Sequence, residues 1–142
     1  MTVNILAVGD VSGSAGLEFL TKNLRPLQKK RNISFTVVNG ENASVFGLTG
    51  TQADAIISAG ADVVTLGNHT WDKREMIGYV EESRYILRPA NYAPQNPGRG
   101  WGVFDSPFGD VCLISLIGRC HMDFGTDNPF FEADRILKQW KA

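Results

Sequence analysis

VNILAVGD, residues 3–10, joins a strand-forming apolar run to a glycine and an aspartate. Val3–Val8 has the composition of a buried β-strand, and Gly9-Asp10 follows it directly. The same arrangement occurs again further along the chain: Phe35–Val38 precedes Gly40-Glu41-Asn42, and Val63–Leu66 precedes Gly67-Asn68-His69. In open α/β sheets the carboxyl ends of the strands form the edge where sites are built, so these polar groups are expected to converge there.

A helical pattern follows the first strand. Its leucines recur at helical spacing, at Leu17, Leu20, Leu24 and Leu27. Pro26 is expected to kink or shorten this helix, because proline lacks the N–H that a helix interior needs. The cationic cluster Lys29-Lys30-Arg31 falls at the expected helix end. There it favours the helix dipole, and this interpretation is preferred to a phosphate-binding patch.

Two more helices are expected between and after the remaining strands. Thr51-x-x-Asp54 resembles a capping box and is expected to begin the second helix, which Gly60 ends. The third helix is expected to open at Asp72-x-x-Glu75. The resulting βαβαβα order predicts a parallel sheet with right-handed crossovers.

The pattern changes in the last third of the chain. Trp101–Phe104 and Val111–Ile117 flank a turn-rich segment, which indicates a hairpin and therefore a mixed sheet. Asn128-Pro129 is typical of a helix start. The buried face of this last helix is predicted to comprise Phe130, Ala133, Leu137 and Trp140. The sequence thus predicts one α/β domain over residues 1–142, with a mixed, mostly parallel sheet flanked by helices.

Composition and charge argue against two classes of function. The chain is 43% hydrophobic and 20% charged with a net charge of -1, so it lacks the basic field needed for strong nucleic-acid binding. No run approaches the roughly 18 apolar residues of a membrane span, and the N-terminus lacks the basic region of a signal peptide. A cytoplasmic location away from membranes is therefore expected, with Cys112 and Cys120 reduced.

The polar groups at the predicted sheet edge suit a metal centre. Asp10, Glu41, Asn42 and Asn68 all carry oxygen ligands. Neighbouring strands lie about 4.8 Å apart, and paired metals in phosphoester-cleaving sites about 3.5–4 Å apart. Side chains at adjacent strand ends can therefore hold two ions, and His69 beside Asn68 can protonate a leaving oxygen. Each residue alone fits a turn, a cap or a structural histidine, but their joint placement favours a site.

A dinucleotide-binding loop is the competing interpretation. Gly9, Gly13 and Gly16 follow the first strand, and Glu41 would hold the ribose. The required G-x-G-x-x-G is missing, because Val11 stands where its second glycine belongs. A Rossmann-like nucleotide-binding module is accordingly disfavoured.

These motifs resemble those of a known family. The matching strings are Val8-Gly9-Asp10-Val11, Asn39-Gly40-Glu41-Asn42-Ala43, Gly67-Asn68-His69-Thr70-Trp71-Asp72 and Arg88-Pro89-Ala90-Asn91, with Asp127-Asn128-Pro129-Phe130 and Ala133-Asp134 near the end. They are similar to the calcineurin-like metallophosphoesterases, and more narrowly to the bacterial YmdB-type branch of 2′,3′-cyclic-nucleotide phosphodiesterases. The Gly-Asn-His block is shared by many phosphoesterases, whereas its extension to Gly-Asn-His-Thr-Trp-Asp is more specific.

The resemblance implies a role for each residue. Asp10 binds one metal, Glu41 bridges two, Asn42 lies close to a metal or to the bridging water, and Asn68 binds the second metal. His69 is the general acid. The cofactors implied are two divalent or mixed-valence ions, iron or manganese first and zinc or magnesium as alternatives. The implied reaction is attack on phosphorus by a metal-bound hydroxide, with small phosphodiesters as substrates and 2′,3′-cyclic nucleotides favoured.

The length of the chain departs from that family. At 142 residues it has roughly half the length of a complete member, so it is expected to form half of a four-layer α/β/β/α sandwich. The family's later metal-ligating histidines are then expected beyond Ala142, and the inner face of the sheet is expected to lack its partner. A complementing C-terminal segment or a homo-oligomer is the expected partner. The alternative is a truncated, inactive domain that acts by binding a partner.

Overall fold

The computed structural model describes residues 2–122 and 125–141. Strands and helices alternate at first, as the sequence predicts, and a hairpin and a helix follow. In chain order the elements are β1 (Ile5–Val8), α1 (Gly13–Arg31), β2 (Phe35–Asn39), α2 (Gly50–Ala59), β3 (Val63–Thr65), α3 (Met76–Glu82), β4 (Ile86–Leu87), β5 (Trp101–Phe104), β6 (Val111–Ile114) and α4 (Pro129–Lys141).

The first four strands form a parallel sheet in the order β1-β2-β3-β4. Ile5 lies opposite Phe35 in the β1–β2 register. Val37 lies opposite Val63 in the β2–β3 register. The predicted parallel arrangement is therefore confirmed. In the described part of the chain the strand order runs without the reversal that creates a dinucleotide-binding crevice, which argues against the Rossmann-like alternative.

The predicted hairpin is formed by β5 and β6, which pair antiparallel. It makes its own two-stranded ladder and joins the edge of the parallel sheet through a bridge between Leu87 and Arg99. Ala90 continues this junction by donating its N–H to the Ser115 carbonyl at 2.7 Å. The mixed, mostly parallel α/β architecture is thus confirmed, with the antiparallel pair placed beside the parallel strands.

One face of the sheet is buried by α1 and α2. Leu20 and Leu24 of α1 and Ile56 of α2 pack there against the strand residues Val38 and Val64, and all five are buried. The alternation of side chains along a strand sends these residues to one face and their neighbours to the other.

The second face of the sheet is covered by the hairpin. Phe35, Val63, Leu87 and Phe104 form a separate buried cluster, and the rings of Phe35 and Phe104 lie 6.3 Å apart. The expectation that this face lacks a partner is therefore wrong for β2 to β4, because the hairpin folds back over them. It holds at β1, where Ile5 remains 54% exposed.

The helix α1 runs through Pro26 without ending there. Pro26 lies on the exposed side of the helix, where water can replace the missing N–H donor. Beyond it, Gln28 ties the helix to the sheet by donating from Nε2 to Thr36 Oγ1 and to the Gly60 carbonyl, both at 2.8 Å. The basic cluster occupies the last turn, as predicted, and Asn32 closes the helix in the left-handed conformation.

The helix α2 begins two residues earlier than predicted. Its capping box is formed by Thr49 and Gln52: the Gln52 N–H donates to Thr49 Oγ1 at 3.3 Å, and the Thr49 N–H donates to Gln52 Oε1 at 3.1 Å. Thr51 and Asp54 therefore lie inside the helix and do not cap it. Gly60 ends the helix, as expected.

The helix α3 begins at Met76, later than predicted. The Asp72 carboxylate contacts His69, and the Glu75 carboxylate accepts the N–H of Gly50 at the start of α2. Both side chains that were expected to cap α3 are thus held by other partners.

The start of α4 is as predicted, because Asn128 Oδ1 accepts the Phe130 N–H at 2.9 Å. Its predicted buried face is wrong. Ile136 is the fully buried residue, whereas Phe130 is 79% exposed and Leu137 and Trp140 are exposed as well. Ala133 is half-buried. Among residues 2–122 and 125–141, no helix has the length and apolar character to cross a bilayer.

The two cysteines are free thiols, in line with the sequence analysis. Cys112 is half-buried in β6, and burial raises the pKa of its thiol. Cys120 is exposed. Both are consistent with the expectation of reduced thiols.

The capping box of α2 is tested by a pair of threonine substitutions. Thr49→Ala removes the side-chain acceptor of the cap and should lower the free energy of unfolding by about 1 kcal/mol. Thr51→Ala, within the same helix, should change it by less than about 0.5 kcal/mol. Urea denaturation of both variants measures the difference. If Thr51→Ala lowered the free energy of unfolding more than Thr49→Ala did, Thr51 would be the capping residue, as the sequence predicts.

Candidate active site

The predicted site residues all lie in loops at the carboxyl edge of the parallel sheet. Backbone hydrogen bonds extend the ladder past the ends of the strands and hold these loops in register. The Val11 N–H donates to the Asn39 carbonyl at 3.0 Å, and the Gly40 N–H to the Thr65 carbonyl at 3.1 Å. The loops after β1, β2 and β3 therefore start from fixed positions at one edge.

The first two loops are joined by Asp10 and Asn42. Asn42 donates from Nδ2 to Asp10 Oδ1 at 2.6 Å, and its carbonyl accepts the Gly13 N–H at 2.8 Å. Asp10 adopts a positive φ of 47°, a conformation in which aspartate is enriched. Asn42 thus fixes the orientation of the Asp10 carboxylate and leaves its second oxygen for another partner.

The second and third loops are joined by Glu41. Its carboxylate accepts the backbone N–H of His69 at 3.3 Å. It also lies directly against Gly67, where any Cβ would overlap the carboxylate oxygens. Gly67 is therefore the residue that allows the Glu41 carboxylate to reach the third loop. Asn68 lies between Gly67 and His69 and is half-buried.

His69 is held from both sides of its ring. Nδ1 lies 2.6 Å from Asp72 Oδ2, and the Phe46 ring lies 5.0 Å from the imidazole ring, centroid to centroid. A carboxylate accepts hydrogen bonds, so Nδ1 carries the hydrogen and Nε2 is left to exchange a proton with a ligand. His69 thus has a fixed orientation suited to acid–base work.

Asp72 and Phe46 were not identified as site residues from the sequence. Asp72 was interpreted as part of a helix start and as the last residue of the Gly67–Asp72 family motif, without a role in the site. A tight turn brings its carboxylate back to the ring, since the Asp72 N–H donates to the His69 carbonyl at 3.3 Å. The signal for Asp72 was its place three residues after His69, but no comparable sequence signal marks Phe46.

Two other aromatic residues near the site are packed against each other. The Trp71 and Tyr92 rings meet edge-on at 6.0 Å, and Tyr92 is buried. Burial, and then the negative charges of Glu41 and Asp72, raise the pKa of Tyr92, so this phenol stays neutral. Their contact indicates a packing role.

The donors at this edge fit part of a metal shell. The carboxylates of Asp10 and Glu41 and the amides of Asn42 and Asn68 supply oxygens, which suit hard cations. Gly67 keeps open the space that the Glu41 carboxylate occupies. Within residues 2–122 and 125–141, no group of three His, Cys, Asp or Glu could hold a metal ion. His121 lies in an exposed turn with a φ of 57°. These oxygens would fill only part of the coordination shell of a metal ion, so a metal centre here would need further ligands.

Comparisons with known proteins agree with this architecture. The family described as YmdB-like protein matches residues 6–142. The 2′,3′-cyclic-nucleotide 2′-phosphodiesterase of Bacillus subtilis (strain 168) is 36% identical over 138 residues, covering 96% of this chain and 52% of that protein. The crystal structure of a novel phosphatase from Mycoplasma pneumoniae superposes with a TM-score of 0.88 at 28% identity, over 98% of this chain and 52% of the other.

A second solved structure, of a protein from Thermus thermophilus, superposes with a TM-score of 0.85 at 33% identity, over 94% of this chain and 52% of that one. The fold is that of a metallophosphoesterase-type α/β domain. The chain belongs to the YmdB-like family, as its motifs indicate. It spans about half the length of the relatives it matches.

Gly67 offers a direct test of how the site is built. Gly67→Ala would displace the Glu41 carboxylate and should abolish most binding of manganese or iron. Gly9→Ala is the matched control, because Gly9 directly precedes Asp10 but a Cβ there meets nothing within 4 Å. Metal content after loading, measured by mass spectrometry beside thermal unfolding, separates the two variants. Full metal content in Gly67→Ala would show that Glu41 is not a ligand in this position.

Proposed function

We propose that this chain is the N-terminal part of a metal-dependent phosphodiesterase that hydrolyses small phosphodiesters, with 2′,3′-cyclic nucleotides favoured. The observation that carries the proposal is the convergence of three loops: Asn42 holds the Asp10 carboxylate, while Glu41 reaches the loop in which Asp72 holds His69. The B. subtilis relative, 36% identical, has this activity in its name.

Two metal ions, iron or manganese, would be held by Asp10, Glu41, Asn42 and Asn68, with Glu41 shared between them. When bound, such ions neutralise charge on a phosphoryl group and lower the pKa of a coordinated water. Two ions need on the order of ten ligand positions, more than these side chains supply. The remaining ligands would come from a C-terminal segment equivalent to the other half of the relatives, or from a second copy of the chain.

The chain's own residues have distinct tasks in this proposal. Asn42 fixes the Asp10 carboxylate, and Gly67 gives Glu41 its room. His69 protonates the leaving oxygen from Nε2, because Asp72 occupies Nδ1. Asp72 therefore acts as a positioning residue. The proposed enzyme acts on small substrates in the cytoplasm, with neither a membrane nor nucleic acid as a partner.

Substrates with different leaving groups separate these roles. The measurement uses the complete protein, meaning this chain joined to or mixed with the complementing segment. Asp10→Ala should lose turnover of both a 2′,3′-cyclic nucleotide and bis-nitrophenyl phosphate. His69→Ala should lose about 10²- to 10⁴-fold on the cyclic nucleotide, whose leaving oxygen needs a proton. It should lose far less on the nitrophenyl ester.

Exposed residues of the same types provide the controls. Asp110→Ala in the turn between β5 and β6 and His121→Ala in its turn should both leave turnover unchanged. Near-normal turnover in Asp10→Ala would contradict the assignment of Asp10 as a metal ligand of the site. Equal losses of His69→Ala on both substrates would argue against proton donation. A folded, metal-loaded wild type without turnover of either substrate would favour the alternative, a domain that binds a partner without catalysis.

A further inference from the structure

The loop between β2 and α2 presents two apolar side chains to solvent beside His69. Val45 is 63% exposed and Phe46 is 59% exposed. The residues on either side of this tip, Ala43 and Leu48, are buried in the core under α2. The loop is thus anchored at both ends while its most apolar residues face outward, which is unfavourable unless something covers them.

The loop tip is held in a strained conformation. Val45 has a φ of 69°, and a β-branched residue in the left-handed region is a genuine outlier. The conformation is imposed by hydrogen bonds from the Val45 N–H to the Asn42 carbonyl at 2.9 Å and from the Ser44 N–H to the Gly47 carbonyl at 3.0 Å. Strain of this kind persists where the surroundings over-determine it, and it clusters at ligand-binding sites.

The same loop rests on the segment that carries His69. A Cβ at Gly47 would lie 3.3 Å from the His69 carbonyl oxygen and 3.4 Å from Asp72 Cβ, so the backbone at Gly47 approaches this segment closely. The Phe46 ring is tilted by 56° against the imidazole. Phe46 is therefore positioned relative to His69 by the backbone itself.

We propose that Phe46 stacks on the base of the nucleotide substrate and thereby makes the site prefer nucleotides to phosphate esters without a base. The inference rests on the proposed function, since it takes His69 as the donor to the ribose oxygen that leaves. The base is attached to the same ribose, and the centroid of the exposed Phe46 ring lies 5.0 Å from the centroid of the imidazole. An aromatic platform tolerates every base, because each base has a π-face. The Trp71 and Tyr92 rings pack against each other, so Phe46 is the better candidate for stacking on a base.

Binding of ligands that differ only in the base tests this directly. The probes are adenosine 3′-monophosphate and 1-O-methylribose 3-phosphate, titrated calorimetrically into the complete protein. Phe46→Ala should weaken the adenosine ligand by about 5- to 100-fold and leave the base-free ligand within about twofold. Phe46→Trp should restore the preference for the base, because it returns a stacking ring.

The matched control is Phe131→Ala, which removes a ring that is 73% exposed on α4. It should alter neither affinity. Equal weakening of both ligands by Phe46→Ala would show that the ring only supports His69, and no weakening of either would show that the base lies elsewhere. Each result overturns the proposal. Because binding is read without turnover, a wild type that fails to hydrolyse cyclic nucleotides refutes the proposed function while the affinity ratio still decides the role of Phe46.

Discussion

The parallel ladder of β1, β2 and β3 is the constraint on which the site depends. Neighbouring parallel strands lie about 4.8 Å apart, so the loops that leave their carboxyl ends lie next to each other. Two side-chain contacts then close the arrangement: Asn42 to Asp10 at 2.6 Å and Glu41 to the His69 N–H at 3.3 Å. Each links a loop to the next strand's loop, and together they span three strand ends.

Among the described residues, two of the four non-glycine residues with a positive φ lie in these loops. Asp10 and Val45 both have positive φ angles, and both belong to segments that Asn42 holds through hydrogen bonds. A domain that only needed to fold would gain from relaxing such positions. Their persistence fits a site whose donors must be oriented before a ligand arrives, because strain retained at a site contributes to pre-organisation.

The sequence predicted the parallel sheet and the converging motifs because both depend on local patterns. Apolar runs mark strands, and polar residues that follow them must fall at one edge. Local patterns did not determine the first residue of α2. Thr49 and Thr51 are both good caps, and only the contacts of Gln52 decide between them. The buried face of α4 was wrong, because the pattern of apolar residues does not show which of them, here Ile136, meets the core.

Asp72 and Phe46 escaped prediction for a related reason. Asp72 reaches the site through a turn that folds its side chain back onto His69. Phe46 reaches it because its loop packs against the segment of His69, which is distant in sequence. Neither arrangement has a periodic signal. The metal-binding roles of Asp10, Glu41, Asn42 and Asn68 remain predictions that the geometry supports, since the described residues supply oxygen donors at one edge.

The most direct measurement is anomalous diffraction from crystals of the complete protein loaded with manganese. We expect two anomalous peaks at the carboxyl edge of the parallel sheet, one beside Asp10 and one beside Asn68, both within bonding distance of the Glu41 carboxylate. Peaks elsewhere, or peaks that Glu41 does not touch, would contradict it.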